Sequence, residues 1–377
     1  MSKDNLIDKI KRNIIKLIFA GQRTFKIGEL RFTNGRPTTV KNSIIAENEN
    51  YILKIQLYKH RLKHNDIVDE AKILNKLKAV GALCQPIIYS TGYDTFKRPY
   101  IIMEKIKNEE GIELADVLLA ILEQHKLGVF HRDTKTDNIC FNGLIAKLID
   151  YDQSQIIDEI KDLKPKESIM FFINNLSHFW KAENMLLDIN KGANEVIRRC
   201  TECFKGNAFD FSKTSLYKSF SGTPFYSVDE DEIKSKGKIN IKDWQNALDK
   251  IEFKAGEKVI DINCDTGALS RYLHKRGCNV IAYSKNDNEI YSTKIISNIL
   301  GTNIKTTQNI ENEADTALIL NTKENLNEIP RINTKRIIFR IDIDKEFQTS
   351  NFENYIKTVK IQADEKSKFI ILNQKDI

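Results

Sequence analysis

The sequence is poor in the two residues that interrupt regular structure, with 16 Gly and 6 Pro among 377 residues. This scarcity excludes collagen-like and low-complexity chains, and a hydrophobic fraction of 41% excludes a wholly disordered one. No apolar run approaches the ~18 residues that cross a bilayer. The first 22 residues lack the unbroken apolar stretch and the cleavage site of a secretory signal. We therefore expect a cytoplasmic protein, and at ~150 residues per domain its length indicates two domains or slightly more.

Cysteine is also scarce, and six cysteines in so long a chain do not make a disulfide framework. Cys200 and Cys203 form a single CxxC pair. A structural zinc site needs a second such pair or a nearby pair of histidines, and the sequence supplies neither. We interpret these residues as two cysteines on one helix and assign no metal to them.

Positive charge is concentrated at the front of the chain. Residues 1–64 contain 14 Lys and Arg against 5 Asp and Glu, whereas the whole chain carries a net charge of +7. This surplus suggests an anionic partner for the front end, such as a phospholipid surface, a nucleotide or a phosphorylated glycan. The basic residues are not interleaved with aromatic ones as in a nucleic-acid reader, so a nucleic-acid partner is not favoured.

The first segment, residues 1–25, has the pattern of a basic amphipathic helix. Leu6, Ile10 and Ile14 recur at helical spacing, and lysines and an arginine lie between them. Such a helix can lie on an anionic membrane surface, which would make the protein peripheral on the inner membrane. It can equally pack its apolar stripe onto the following domain.

The hydrophobic pattern changes character along the chain. Strand-like runs and two helices, predicted over 65–80 and 113–126, precede a polar loop, and residues 165–205 have a helical pattern. Residues 206–242 are richer in Gly, Ser, Asp and Lys, and we interpret them as a connection. From residue 243 strands and helices alternate, which indicates an α/β domain with a largely parallel sheet. Its strands are predicted at 257–262, 279–283, 315–320, 335–341 and 368–372.

The polar loop carries the most specific motif, HRDTKTDN at residues 131–138, with Asp150 twelve residues later at the end of a strand. Transfer of a phosphoryl group from ATP requires positioning and charge neutralisation. Asp133 is placed to accept the hydrogen bond of an attacking hydroxyl, and Lys135 is placed to stabilise charge. Asn138 and Asp150 supply oxygen ligands of the kind that Mg²⁺ prefers.

This spacing resembles the catalytic loop and the metal-binding aspartate of the protein-kinase-like superfamily. The resemblance implies an α+β, bilobal, ATP- and Mg²⁺-dependent kinase domain over residues 26–205. It implies that Lys54 grips the α- and β-phosphates and that Glu70 is its ion-pair partner. It also places Glu104 at the hinge, where the backbone binds adenine.

The sequence departs from the motifs of this superfamily at positions that bear on the choice of substrate. The phosphate loop has a single glycine, Gly35, so phosphates are expected to meet Thr38 and its neighbours as well. Asp150 is followed by Tyr-Asp in place of Phe-Gly, and no Ala-Pro-Glu segment for seating a peptide follows. These departures favour a sugar or glycan acceptor, and residues 40–200 resemble the bacterial sugar kinases of lipopolysaccharide-core assembly, which act on heptose or Kdo.

Residues 256–286 resemble motif I of class I S-adenosylmethionine (SAM)-dependent methyltransferases, which implies a Rossmann-like domain over 243–377. The resemblance implies cofactor contacts at Asp261, Gly267 and Ser284. Asn263 and Asp265 stand where the family has glycines, and Ser284 stands where it has an acid for the ribose. We therefore expect SAM binding too weak to be useful. The closing hairpin of the family is expected to be missing.

The leading hypothesis is a kinase for a cell-envelope sugar, fused to a methyltransferase-like domain. Three alternatives stay open: a bifunctional enzyme that phosphorylates and methylates the end of a glycan, a protein Ser/Thr kinase, and a non-catalytic binding platform. Intact Lys54, Asp133 and Asp150 favour catalysis in the first domain, whereas Asn263 and Asp265 favour a scaffold in the second.

Overall fold

The computed structural model describes residues 24–37, 43–57, 66–175, 193–309, 313–320, 333–342, 355–363 and 366–374. The amphipathic helix predicted from Leu6 onward lies outside these residues. Within them, no helix is both long enough and apolar enough to cross a membrane. The chain divides into two compact units, Met1–Lys161 with Met170–Val196, and Asp162–Ile169 with Ile197–Ile377.

The first unit opens with a six-stranded sheet. Its strands are β1 (Phe25–Ile27), β2 (Leu30–Pro37), β3 (Ser43–Glu47), β4 (Tyr51–Gln56), β5 (Ile88–Tyr93) and β6 (Pro99–Glu104). They pair antiparallel in the order β1-β2-β3-β4-β6-β5. Alternate side chains of these strands form one apolar cluster that includes Phe32, Leu53 and Ile102. Lys54 pairs with Ile45 on one side and Ile101 on the other, which places it in the middle of the sheet.

Two helices follow the pattern read from the sequence. Helix α1 (Ile67–Ala79) begins at Asp66, whose side chain accepts the backbone N–H of Asp69. Helix α2 (Leu114–Lys126) begins with a reciprocal capping pair between Glu113 and Asp116. Both predicted helices are thus confirmed to within two residues at each end. The buried face of α1 is apolar apart from Glu70.

The polar loop and the segments after it contain four short strands, which are β7 (Val129–Phe130), β8 (Ile139–Phe141), β9 (Ala146–Leu148) and β10 (Gln155–Ile156). Strands β8 and β9 form one antiparallel ribbon, and β7 and β10 form another. Helices α3 (Pro165–Asn174) and α4 (Ala193–Thr201) come next, within the range predicted to be helical. Each crosses a boundary between the two units.

The predicted connection, residues 206–242, is folded and belongs to the second unit. With the residues before it, it supplies β11 (Phe204–Lys205), β12 (Ala208–Asp210), α5 (Ser215–Lys218), β13 (Val228–Asp229) and β14 (Ile233–Ser235). The strands form a small sheet in the order β11-β12-β14-β13. The segment is ordered because most of its aromatic residues are buried, and Phe209, Phe211 and Tyr226 are fully buried.

The rest of the second unit is an α/β fold with a Rossmann-like sheet. It comprises α6 (Ile241–Leu248), β15 (Lys258–Ile262), α7 (Ala268–Lys275), β16 (Asn279–Tyr283), α8 (Asp287–Ile299), β17 (Lys305–Thr307), β18 (Glu313–Ile319), β19 (Asn333–Asp342), β20 (Tyr355–Gln362) and β21 (Ser367–Gln374). The strand order is β17-β16-β15-β18-β19-β21-β20. The first five strands of this order run parallel, and β21 is antiparallel to both of its neighbours.

All five strands predicted in this region are confirmed. The expectation of a missing closing hairpin is wrong, because β20 and β21 pair antiparallel over nearly their whole length. Apolar side chains cover both faces of the sheet: Val259 packs on one side and its neighbour Ile260 on the other. A parallel sheet covered on both faces presents the carboxyl ends of its strands as the edge where a ligand is usually bound.

Candidate functional site

The polar loop of the first unit, residues 131–138, holds Asp133 in one orientation. Asn138 donates from Nδ2 to Asp133 Oδ2 and to the Asp133 carbonyl oxygen, each at 2.8 Å. Lys135 Nζ lies 3.4 Å from the same Oδ2. Asp133 is fully buried, and within the part of the chain that the structure describes its Oδ1 has no hydrogen-bond partner. The side chain therefore presents one acceptor atom that is fixed in place and unused.

Backbone contacts tie this loop to the strand that leads to Asp150. The ring of His131 contacts the carbonyl oxygen of Ile149 through Nε2 at 3.0 Å. Ile149 donates its N–H to the carbonyl oxygen of Asn138 at 2.9 Å. Arg132, between His131 and Asp133, is in the left-handed region with φ 65°. These bonds fix the two halves of the predicted motif against each other.

Lys54 lies at the centre of the site and joins two carboxylates. Its Nζ is 2.5 Å from Glu70 Oε2 and 3.0 Å from Asp150 Oδ1. Burial alone would lower the pKa of Lys54, but the charges of Asp150 and Glu70 outweigh it and raise that pKa well above its usual range. Lys54 is therefore a fixed cation at neutral pH. The sequence predicted the pair with Glu70, and the structure adds the contact with Asp150.

A third carboxylate joins Asp133 and Asp150, and sequence reasoning missed it. Asp133, Asp150 and Asp152 each offer an oxygen atom, and these atoms lie within 4.8 Å of one another. The signal was the Tyr-Asp that follows Asp150, where a carboxylate replaces the glycine of the family motif. Three carboxylates this close fit a divalent cation with oxygen ligands.

Glu104, Gly35 and Thr38 are the other residues of the first unit that were predicted to contact the nucleotide. Glu104 binds Lys147 Nζ at 2.6 Å through its carboxylate, and its backbone N–H donates to the Ile87 carbonyl oxygen at 2.8 Å. Gly35 lies in β2, where a Cβ would overlap the ring of Phe25, so close packing requires glycine there. Thr38 lies outside the described residues.

In the second unit, Asp261 and Gly267 frame the turn after β15. Asp261 is 1% exposed, and Ser270 donates a hydrogen bond to it at 2.5 Å. Gly267 has φ 71°, and a Cβ there would overlap the side chain of Thr293. This glycine is therefore required for the turn, as the resemblance to motif I predicts.

The positions that lack the family's glycines keep a glycine-like backbone. Asn263 and Asp265 have φ 57° and 54°, in the left-handed region. The carboxylate of Asp265 accepts the N–H groups of Phe225 and Tyr226 at 3.0 and 2.8 Å. Ser284 is fully buried, and its hydroxyl accepts a backbone N–H from within the same turn. The structure thus brings these side chains into internal hydrogen bonds.

Burial raises the pKa of Asp261 from 3.8 to about 7, although the hydrogen bond from Ser270 opposes the shift. Between these values the folded protein keeps a proton that the unfolded chain releases, so the stability contributed by Asp261 falls as the pH rises. We expect Asp261→Asn, which cannot ionise, to gain stability relative to wild type between about pH 4 and about pH 7, by up to ~1.4 kcal/mol per pH unit. Urea unfolding of both proteins at each pH measures this, and parallel pH dependences would contradict it.

The CxxC cysteines lie in the second unit, Cys200 on α4 and Cys203 just beyond it. Both are buried and free of disulfide bonds. Burial raises the pKa of Cys200 to about 12 and that of Cys203 to about 11, which disfavours the thiolate that metal binding or redox chemistry requires. Among the described residues, the group that could hold a metal ion is the acidic cluster of the first unit.

The chain matches no protein-family model and no curated protein sequence. Solved structures with partial similarity include methyltransferases. Magnesium protoporphyrin IX methyltransferase from Synechocystis PCC 6803 is 12% identical, with 49% of this chain and 99% of that chain covered and a TM-score of 0.32. Ribosomal protein L11 methylase from Lactobacillus delbrueckii subsp. bulgaricus is 19% identical, with 39% and 88% covered and a TM-score of 0.32. The α/β fold of the second unit follows from its own strand order.

Proposed function

We propose that the first unit is an ATP- and Mg²⁺-dependent phosphotransferase that acts on an alcohol group. The observation that carries this proposal is the joint arrangement of Lys54 between Glu70 and Asp150, and of Asn138 on Asp133. These residues come from four separate segments of the chain, so a solvated polar loop does not account for their meeting. Their contacts are consistent with the roles proposed for them.

The element order supports a protein-kinase-like, bilobal fold for residues 26–205. An antiparallel sheet carries Lys54 on a central strand, and the helix that follows supplies Glu70. Strand β6 then leads to α2, the catalytic loop and the β8–β9 ribbon that ends near Asp150. In such enzymes a lysine–glutamate pair and a metal-binding aspartate must both be in place for transfer.

The residues divide the chemistry between them. Asp133 orients the attacking hydroxyl and accepts its proton through the unused Oδ1. Lys54 is placed to bind the α- and β-phosphates, and Lys135 to stabilise charge on the transferred group. Asn138 and Asp150 would hold Mg²⁺, which neutralises charge on the phosphates when it is bound. Asp152 is close enough to Asp150 to contribute to the same site.

The short segment after Asp150 favours a small or glycan acceptor. Strand β10 is tied back to β7, and turns of 3₁₀-helix at Tyr151–Gln153 and Asp158–Asp162 lead directly to α3. No extended segment of the kind that seats a peptide is present in the described range 66–175. We propose a cell-envelope sugar, of the lipopolysaccharide-core or capsule type, as acceptor, and an anionic membrane surface as partner of the basic front end.

The competing functions have less support. A protein Ser/Thr kinase would need the peptide-seating segment, and a non-catalytic platform would not need the arrangement around Lys54. A bifunctional kinase and methyltransferase would need a cofactor site in the second unit. There Asp265 and Ser284 are engaged in internal hydrogen bonds.

Replacing Asp150 with Ala is expected to weaken Mg·ATP binding on the order of 10- to 100-fold, because a metal ligand is lost. Calorimetric titration of ATP in the presence of Mg²⁺ measures the affinity. Asp137→Ala is the matched control, because Asp137 is an exposed aspartate on the polar loop, residues 131–138. Equal affinities in the Asp150 variant and wild type would contradict the role given to Asp150.

Turnover of ATP with a panel of acceptors tests the substrate. The panel contains core sugars, nucleoside-linked sugars and a generic protein. Transfer to a sugar is the expected result. Transfer to the protein alone would replace the proposed acceptor and keep the kinase, whereas no ATP turnover with any acceptor would count against the phosphotransferase itself.

A further inference from the structure

The turn after β15, residues 263–267, is held by hydrogen bonds to other segments of the same unit. Asn263 and Asp265 hold left-handed conformations, which Asn and Asp adopt more readily than other non-glycine residues. Asp265 is 2% exposed, and every polar part of it is engaged. Its N–H donates to Glu289 at 3.0 Å, and its carbonyl oxygen accepts from Thr293 at 3.3 Å.

The carboxylate of Asp265 holds a segment that is 40 residues away in sequence. It accepts the N–H of Phe225 at 3.0 Å and that of Tyr226 at 2.8 Å. A carboxylate that accepts two N–H groups makes charge-assisted bonds, which are stronger than neutral ones. We call this arrangement the clamp, meaning Asp265 with the segment Pro224–Tyr226.

The clamped segment is held from its other side as well. Lys238 and Ile239 donate backbone N–H groups to the carbonyl oxygens of Pro224 and Phe225 at 3.0 and 2.9 Å. The rings of Phe225 and Tyr226 pack against Trp244 with centroid distances of 5.4 and 5.5 Å. Because these rings belong to the apolar core, the segment is an integral part of the second unit.

The residues of this turn therefore do not fit SAM. Close approach of the backbone is opposed by the Asp265 side chain and by the segment that it holds. The ribose position is occupied by Ser284, which is fully buried and accepts the N–H of Asn286 at 3.1 Å. Asp261, at the strand end, is directed to Ser270.

We propose that the chain's own segment Pro224–Tyr226 takes the place of a cofactor in the second unit. The clamp converts a cofactor-binding turn into an internal docking site, and the unit does not bind SAM. The proposal concerns the second unit alone, so it stands or fails independently of the phosphotransferase proposed for the first.

Two measurements on the full chain test the proposal. Calorimetric titration with SAM and with S-adenosylhomocysteine is expected to give no saturable binding. Low-micromolar binding of either would overturn the proposal. The second measurement is chymotrypsin cleavage after Phe225 or Tyr226, identified by mass spectrometry, because the clamp buries these two aromatic sites.

Asp265→Ala is expected to raise the rate of that cleavage roughly 10-fold or more, because both N–H groups lose their acceptor. Asp265→Asn keeps one acceptor oxygen, so it is expected to give an intermediate rate and to serve if the alanine variant does not fold. Asp243→Ala, at an exposed position on α6, is the matched control. Unchanged cleavage in both Asp265 variants would show that the clamp does not hold the segment.

Discussion

Asp133→Asn is expected to slow phosphoryl transfer by about 10²–10⁴ while leaving the affinity for Mg·ATP nearly unchanged. The amide has the size of the carboxylate and can still accept from Asn138 through its oxygen. It cannot take a proton from the attacking hydroxyl. The relevant atom, Oδ1 of Asp133, is buried and has no hydrogen-bond partner in the described part of the chain. Single-turnover rates and calorimetric titration with ATP separate the two effects.

Asp137→Asn is the matched control for this experiment, because it makes the same change at an exposed position of the same loop. Its transfer rate should equal that of wild type. Undiminished transfer in the Asp133 variant would remove the kinase assignment. Equal loss in both variants would point to a general disturbance of the loop and would remove the special role of Asp133.

Lys54→Met is expected to abolish transfer and also to destabilise the protein, by roughly 3–5 kcal/mol. The methionine preserves the apolar length of the side chain, but it leaves Glu70 buried without the cation that lies 2.5 Å away. An uncompensated buried charge is costly, so much of this effect belongs to Glu70. Urea unfolding curves measure the loss of stability.

The double variant Lys54→Met/Glu70→Gln separates stability from function. Because no charge is then left unpaired between α1 and β4, most of the lost stability should return. Transfer should not return, since no cation is left for the phosphates. A double variant as unstable as the single one, or one that regains turnover, would refute this account of the pair.

The residues proposed as catalytic in the first unit stand out in the sequence because their spacing is local. Asp133, Lys135 and Asn138 lie on one loop, and Asp150 ends the next apolar strand. Lys54 and the helix that carries Glu70 also follow one another along the chain in the order that the motif predicts. Asp152 was missed because only the fold shows that a residue two positions after Asp150 turns back to the same cluster.

Other features depend on contacts that no local pattern encodes. Strand β20 lies at the edge of its sheet, and its lysines break the apolar run, so its sequence does not stand out as a strand. The clamp joins Asp265 to residues 40 positions earlier. The sequence shows that an aspartate stands at position 265 where the family has a glycine. Only the structure shows that this aspartate accepts the N–H groups of Phe225 and Tyr226.

The ion pair between Glu104 and Lys147 affects the local unfolding of the first unit. It joins the end of β6 to β9, and Ile87 exchanges two hydrogen bonds with Glu104, one through each residue's N–H. The ion pair and the two hydrogen bonds thereby connect the six-stranded sheet to the β8–β9 ribbon. Local unfolding here would have to break the ion pair and both hydrogen bonds together. The amides of Ile87 and Glu104 therefore belong to one cooperative unfolding unit.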